Sequence, residues 1–363
     1  MSDIFSTIVV AEYTNRAGTE TYLLHLLPLV SQYEKKVLLV TIGGDPADKV
    51  SRLALNLGFT HWRIDGNSDV KLNNQRNSKY IQQQITKLLP QRKAKRVIVS
   101  VGTPGALTQC LNLGLSSYYI LHTYPHGNRH KFFGRLIARG IPRTSEVVCV
   151  SEYSKREFFK YWGTKLNVSV VPNGVPTPEV SERESSSFPV VLTLGSVEHY
   201  KNPELWLRIA MRYLKSVPDS KATFIWVGEG SELLQISKKI PHDLRDQIIF
   251  AGSVEDPSSF LGKATVYLQP SKIESFGLAV AEALSFGIPC VVADTGGLPE
   301  VVSEKCSILV APDDVSGYVS ALSELLGNKK LLKRMSLEAL NRHTEMLSIE
   351  SWQTRMTQTL QLQ

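Results

Sequence analysis

The sequence predicts an α/β protein built from two successive doubly wound parallel-sheet domains. Three observations carry that prediction. Short unbroken β-branched runs alternate with helix-like stretches along the whole chain, the pattern of buried parallel strands covered by helices on both faces. At 363 residues, with an ordinary 42% hydrophobic and 21% charged content, the chain is longer than one hydrophobic core comfortably organises. A cluster of Pro, Gly and Ser at 172–187 interrupts the alternation and marks a linker.

The strand-like runs before the linker are 8–11, 37–42, 97–101, 118–121, 147–150 and 168–171. Those after it are 190–194, 223–227, 248–250, 266–268, 290–293 and 308–310. The first domain is therefore assigned to residues 1–178 and the second to 179–346, leaving a closing segment at 347–363. Open sheets of this kind bind ligands at the carboxyl ends of their strands, so a cleft lined by both sets of strand ends is expected.

Composition narrows the function classes. Cys110, Cys149, Cys290 and Cys306 are far apart and form no C-x-x-C pair, which fits reduced core thiols better than disulfides or a zinc site. The N-terminus lacks a basic stretch followed by a long apolar run, and no apolar run approaches eighteen residues, so a cytoplasmic protein is expected. The net charge of +7 is concentrated: residues 70–145 hold 13 Lys and Arg with no Asp or Glu, leaving 28 basic residues against all 34 acidic ones elsewhere. An anionic partner for that part of the chain is implied. A nucleic-acid role is disfavoured because no stacking motif accompanies the basic residues, and a nucleotide-dependent dehydrogenase because G-x-G-x-x-G is absent.

The segment richest in chemistry runs over 269–300. It reads as strand end, polar turn, helix, strand and glycine turn. A helix starting near Phe276 would aim free N–H groups and a positive dipole end at the loop of Glu274, Ser275, Phe276, Gly277 and Leu278, a ready seat for a diphosphate. Glu274 lies just before that end and Glu282 about two turns in. At roughly 1.5 Å per residue their spacing approaches a pyrophosphate span, so one carboxylate can bind a sugar and the other a ribose. Taken alone, two glutamates at this spacing usually only face solvent.

The segment resembles the E-x7-E signature of retaining glycosyltransferases of family 4, and the order of further motifs resembles that family over nearly the whole chain. The residues after Asn15, with Gly18, resemble its glycine-rich loop near the donor phosphates. Ile120-Leu-His-Thr-Tyr-Pro125 resembles its strand-end histidine, implying that His122 reaches the donor sugar or acceptor. Val150-Ser-Glu-Tyr-Ser-Lys155 and Val171-Pro-Asn-Gly-Val175 are similar to its exit into the linker, with Asn173-Gly174 read as a turn needing positive φ.

In the second half, Leu194-Gly-Ser-Val-Glu-His-Tyr-Lys-Asn202 resembles the family's phosphate loop, which implies that Lys201 meets the diphosphate. Ser196 stands where the family commonly has an arginine, and Lys272 is a candidate replacement. Trp226-Val-Gly-Glu-Gly-Ser231, with Gly228, resembles the turn beneath the base, and Phe250-Ala-Gly-Ser-Val254 the loop at its edge. Gly296-Gly-Leu-Pro-Glu300 is read as a structural turn or a donor contact. The closing segment resembles a tail helix that returns to the first domain, with Trp352 packed at the junction.

The resemblance implies a GT-B fold: two Rossmann-like domains facing a cleft, the first binding the acceptor and the second the nucleotide-sugar. It further implies transfer of a hexose with retention to a glycan or lipid-linked acceptor. His122, Lys201 and Glu274 would act in catalysis, with no metal and no cofactor beyond the donor substrate. Within 126–143, Lys131, Arg135 and Arg139 recur every four residues beside Phe132, Phe133, Leu136 and Ile137. This suits either a solvated helix packed on a core or a contact with an anionic acceptor or membrane surface at the inner face. The alternatives are a GT-B epimerase or hydrolase acting on its donor, and a donor-binding protein without transfer activity.

Overall fold

The computed structural model describes residues 5–12, 17–42, 48–64, 94–101, 116–123, 143, 145–163, 166–179 and 188–362. The chain divides into two compact units, Met1–Pro172 with Gln353–Gln363, and Asn173–Trp352. Helices are numbered below among the described residues.

The first unit is a parallel sheet of seven strands: β1 (Thr7–Glu12), β2 (Val37–Ile42), β3 (Thr60–Ile64), β4 (Arg96–Val101), β5 (Ser116–Leu121), β6 (Glu146–Cys149) and β7 (Asn167–Val170). Their order is β3-β2-β1-β4-β5-β6-β7. The chain leaves β1 toward β2 and later returns to the other side of β1 with β4, so the strand order reverses at the β1/β4 pair. Helices α1 (Ala17–Tyr33), α2 (Lys49–Asn56) and α3 (Glu152–Trp162) follow β1, β2 and β6. Ser151 caps α3 by accepting the Ser154 N–H at 3.0 Å, and Gly163 closes it in the left-handed conformation. Ile8, Val10, Leu38, Val40, Val97 and Val99 form the core with Phe158 and Trp162 of α3.

The chain's end belongs to this unit because Arg96 holds it. Its Nη1 donates to the carbonyls of Leu360 at 2.6 Å and Gln361 at 2.7 Å, while Nη2 pairs with Glu34 at 3.5 Å. One member of the basic excess is thus an internal clamp. Tyr22 donates to the Met356 sulfur at 3.7 Å on the same segment.

The second unit is a six-stranded parallel sheet in the order β10-β9-β8-β11-β12-β13. Its strands are β8 (Val190–Leu194), β9 (Thr223–Val227), β10 (Ile248–Gly252), β11 (Val266–Gln269), β12 (Cys290–Ala293) and β13 (Ser307–Val310). The order reverses at the β8/β11 pair. Helices α4 (Pro203–Ser216), α5 (Leu233–Ser237), α6 (Ser258–Lys263), α7 (Leu278–Ser285), α8 (Leu298–Val301), α9 (Val315–Gly327) and α10 (Lys329–Arg342) accompany it, and α11 (Ile349–Thr359) starts in this unit and continues past Trp352 into the residues assigned to the first. Beneath β8 and β9 the core is aromatic, with Trp206 and Trp226 edge to face at 5.3 Å and Phe224 and Phe250 beside them.

One turn expectation is corrected. Neither Asn173 nor Gly174 has positive φ. Gly174 is glycine for space: a Cβ there would lie 2.5 Å from Trp352 Cβ. Trp352 itself is buried, and next to it His343 Nε2 lies 3.0 Å from the Val175 carbonyl while Val175 N–H donates to Leu347 at 2.8 Å. Gly174→Ala is expected to cost about 1–3 kcal/mol by overpacking. A urea unfolding midpoint equal to wild type would contradict this.

Candidate functional site

The carboxyl ends of β8 and β11 adjoin at the reversal of strand order in the second unit, and the loops leaving them carry the charged residues of the site. The β8 loop is locked from below by glycine packing. Gly195 (φ +127°) and Gly228 (φ +143°) lie so close that a Cβ on Gly228 would sit 2.1 Å from the Gly195 carbonyl oxygen. That oxygen accepts the Trp226 indole N–H at 2.8 Å. Glu198 then ties the β8 loop to the β9 loop, accepting the Ser231 N–H at 2.8 Å and its hydroxyl at 2.6 Å. A short 3-10 turn at His199–Lys201 follows and delivers Lys201 inward.

Lys201 Nζ meets Glu274 Oε1 at 2.6 Å, with the side chains only 10% and 12% exposed. Burial, the largest single influence, would lower the lysine pKa, but Glu274, Tyr200 and Glu282 together outweigh it and leave the value raised, so Lys201 stays cationic. The Glu274 loop is in turn seated on Gly296 and Gly297. Cβ atoms there would lie 2.3 Å from the Glu274 and Ser275 carbonyl oxygens, and Gly297 N–H donates to Glu274 O at 2.8 Å. The Gly296-Gly297 turn acts on Glu274 from behind as a structural support.

The helix after this loop starts later than the sequence suggests. Phe276 is buried in the core, Gly277 adopts φ +117° as the N-cap, and α7 begins at Leu278. Position 277 calls for glycine, because its φ is positive and a Cβ there would lie 2.7 Å from Leu298 Cδ2. The free N–H groups at the start of α7 therefore belong to Leu278 and Ala279. Ser275 lies half-buried in the loop before them. Glu282, in the second turn, is half-buried, and burial pushes its carboxyl pKa up to about 7 although Lys201 opposes the shift. No described residue donates a hydrogen bond to it.

Ser196 carries no charge into the loop; its hydroxyl lies 3.2 Å from that of Tyr200, whose ring has Lys201 Nζ at 5.6 Å from its centroid. Lys272 is exposed, with Nζ 2.8 Å from His199 Nε2, while its N–H donates to the Tyr200 carbonyl at 2.8 Å. Among the described residues, Lys201 is the cation that contacts Glu274.

In the first unit, His122 follows β5. Its Nε2 lies 2.8 Å from the Ser100 hydroxyl, and its ring meets Tyr22 edge on at 4.5 Å. Burial lowers its pKa to about 4, so it is neutral near pH 7. Gly18 falls in the first turn of α1, and the loop at 13–16 before it lies outside the described residues. The basic stretch 126–142 lies outside them too; Arg143, at its end, is exposed.

Three residues of the site escaped sequence reasoning: Tyr267, Gln269 and Ser271, all buried and bonded in series toward Glu274. A signal existed, since Tyr267 and Gln269 are polar residues two apart on one face of an otherwise apolar strand.

Two family descriptions match consecutive parts of the chain: Glycosyltransferase Family 4 over residues 18–179 and Glycosyl transferases group 1 over 179–342. The chain belongs to glycosyltransferase family 4. Relatives agree with this assignment. A phosphatidylinositol N-acetylglucosaminyltransferase GPI3 subunit of Saccharomyces cerevisiae is 24% identical over 69% of the chain. An N-acetyl-alpha-D-glucosaminyl L-malate synthase of Bacillus anthracis is 29% identical over 56% of it. The match spans 58% of the yeast protein and 56% of the Bacillus one. The crystal structure of Anabaena Alr3699/HepE with UDP and glucose superposes over 98% of this chain and 99% of its own, with a TM-score of 0.75 at 15% identity. The family 4 chain thus has the GT-B fold. Among its described residues, no helix is long and apolar enough to cross a membrane, and no group of three or more His, Cys, Asp or Glu is placed to hold a metal ion.

Proposed function

We propose that this protein transfers a hexose, with retention, from a nucleoside-diphosphate sugar to a hydroxyl of a glycan or lipid-linked acceptor. The observation that carries the reading is the Lys201–Glu274 pair, set beside Glu282 and the start of α7 at the strand-order reversal of the second unit. In this reading Lys201 and the α7 N–H groups meet the diphosphate, Glu274 the transferred sugar and Glu282 the ribose hydroxyls. Ser196, Gly228, Ser275, Phe276, Gly277 and Leu278 shape the bed on which the donor lies. The UDP and glucose held by the Anabaena protein support a sugar nucleotide, and the yeast relative is by name an N-acetylglucosaminyltransferase subunit.

Transfer proceeds on one face of the sugar. The acceptor oxygen bonds to the anomeric carbon as the bond to the diphosphate oxygen breaks, and the departing diphosphate takes the acceptor proton. Lys201 and the helix start stabilise the charge that develops on that leaving group. Positive charge is thereby supplied without a metal ion, so turnover is expected to survive EDTA. The protein acts from the cytoplasmic side, with the basic stretch 126–143 facing an anionic acceptor or membrane surface. Proton NMR of the product formed from an α-linked donor tests the reading: an α-anomeric product with EDTA present is expected, and a β-anomer or a requirement for added metal overturns it.

Glu282 gives this proposal a pH signature. Ribose hydroxyls donate, and the ionised carboxylate accepts two of them strongly, whereas the protonated acid gives up one oxygen to its own O–H and accepts weakly through the other. With a pKa of about 7 in the unliganded protein, affinity for UDP-glucose should rise about tenfold between pH 6 and pH 8. Stability runs the other way. The folded state holds the Glu282 proton more tightly than the unfolded chain, so the contribution of Glu282 to stability is fully present below the ordinary glutamate pKa and is lost as pH rises through about 7. Glu282→Gln should abolish both dependences; calorimetry across this range that shows an unchanged slope in the variant would refute the role.

A further inference from the structure

We infer that Tyr267, Gln269 and Ser271 are positioning residues that aim Glu274 at the donor sugar; this rests on the role proposed for Glu274 above. The four side chains form one buried series of hydrogen bonds with a single direction. At one end the Leu194 N–H can only donate, and it reaches the Tyr267 hydroxyl at 3.1 Å. The phenol hydrogen then goes to Gln269 Oε1 at 2.7 Å. At the other end the Glu274 carboxylate accepts, with Oε1 taking Lys201 Nζ at 2.6 Å and the Ser271 hydroxyl at 3.1 Å. The Ser271 oxygen is left to accept from Gln269 Nε2 at 2.6 Å. The Glu274 end fixes the orientation of the Gln269 amide, and this turns the phenol hydrogen to Oε1 rather than to the Leu194 carbonyl 3.4 Å away.

Tyr267 and Gln269 share one face of β11, and Pro270, with its fixed φ, carries the chain from Gln269 to Ser271. All three polar side chains are no more than 1% exposed. An apolar strand end would hold the sheet together equally well, whereas a polar series that ends on a carboxylate fixes where that carboxylate points. Glu274 Oε1 is occupied twice, by Lys201 and Ser271. Its Oε2 carries no bond from the described residues and is the oxygen left to accept a sugar hydroxyl.

The test compares how much the sugar adds to donor affinity. Calorimetry on the full chain measures UDP-glucose, GDP-glucose and ADP-glucose, each against its bare nucleoside diphosphate. Gln269→Leu should lower the sugar's contribution about tenfold, as Glu274→Ala does, while the bare diphosphate stays within about twofold of wild type. Thr193→Val is the control for a merely structural role. It removes bonds buried as deeply, to the Leu268 carbonyl at 2.6 Å and from Trp206 Nε1 at 2.8 Å, but these lead away from Glu274. It should lower the melting temperature and leave the sugar's contribution intact. If Gln269→Leu does not fold, Ser271→Ala removes only the last link and should show the same loss. A sugar contribution preserved in these variants but lost in Glu274→Ala overturns the positioning role. A contribution preserved in Glu274→Ala, or no binding of any of the three pairs to wild type, overturns the role of Glu274 and this inference with it.

Discussion

Lys201→Met is expected to slow sugar transfer by about 10²–10³-fold, the usual consequence of removing one preorganised group that stabilises developing charge in a water-poor site. It should also weaken the fold. Glu274, 12% exposed, would be left with Ser271 as its partner, and removing one member of a buried ion pair costs about 3–5 kcal/mol. The two effects can be separated. Lys201→Met combined with Glu274→Gln removes both charges and should recover most of the stability while leaving transfer as low as in the single variant. Urea unfolding and a transfer assay on the two proteins check this; a double variant that regains transfer along with stability would show that Lys201 serves the fold alone.

Gly228→Ala should be the most damaging single methyl group in the second unit. Its φ of +143° is strained for any side chain, and the added carbon would overlap the Gly195 carbonyl oxygen at 2.1 Å. Backbone cannot yield as a flexible side chain would, so β8 and β9 must part at their carboxyl ends. The Trp226 bond to Gly195 O is lost as they do, along with the register that delivers Lys201. A loss of about 3 kcal/mol or more is expected, with donor binding reduced beyond detection. Gly262 is the matched comparison: a Cβ there meets nothing within 4 Å, and Gly262→Ala should fold and bind as wild type. Equal melting temperatures for the two variants would contradict the packing argument.

How far the sequence revealed the molecule depends on which forces set each feature. Strands buried on both faces announced themselves: 37–42, 190–194, 223–227 and 290–293 coincide with β2, β8, β9 and β12 to the residue. β3 was missed because Thr60–Ile64 is an edge strand, buried only at Ile64, so Thr, His, Trp and Arg replace the apolar run that marks a central strand. The start of α7 was placed two residues early because Phe276 looks like a first helical residue. Only the tertiary contact of Gly277 with Leu298 shows that the chain turns there. Gly174 was misread for the same reason: the sequence suggests a turn glycine, while the cause, Trp352, lies 178 positions further along the chain.

For the site, the spacing of Glu274 and Glu282 and the position of Lys201 were legible, because local loop and helix geometry sets them. Their pairing and protonation were not. The Lys201–Glu274 contact joins loops from two strands, and the raised pKa of Glu282 comes from burial that no local pattern encodes. Lys272, considered as a substitute for the arginine absent at Ser196, is held by His199 in this structure.

The most direct measurement is a thermal-shift comparison of wild type and Glu282→Ala with UDP-, GDP- and ADP-sugars at pH 8. A donor site built on Lys201, Glu274 and Glu282 predicts that one nucleotide class raises the wild-type melting temperature by about 2–4 °C at a hundredfold excess over its Kd. The variant should lose most of that shift. No shift with any of the three, or a shift of equal size in Glu282→Ala, would contradict it.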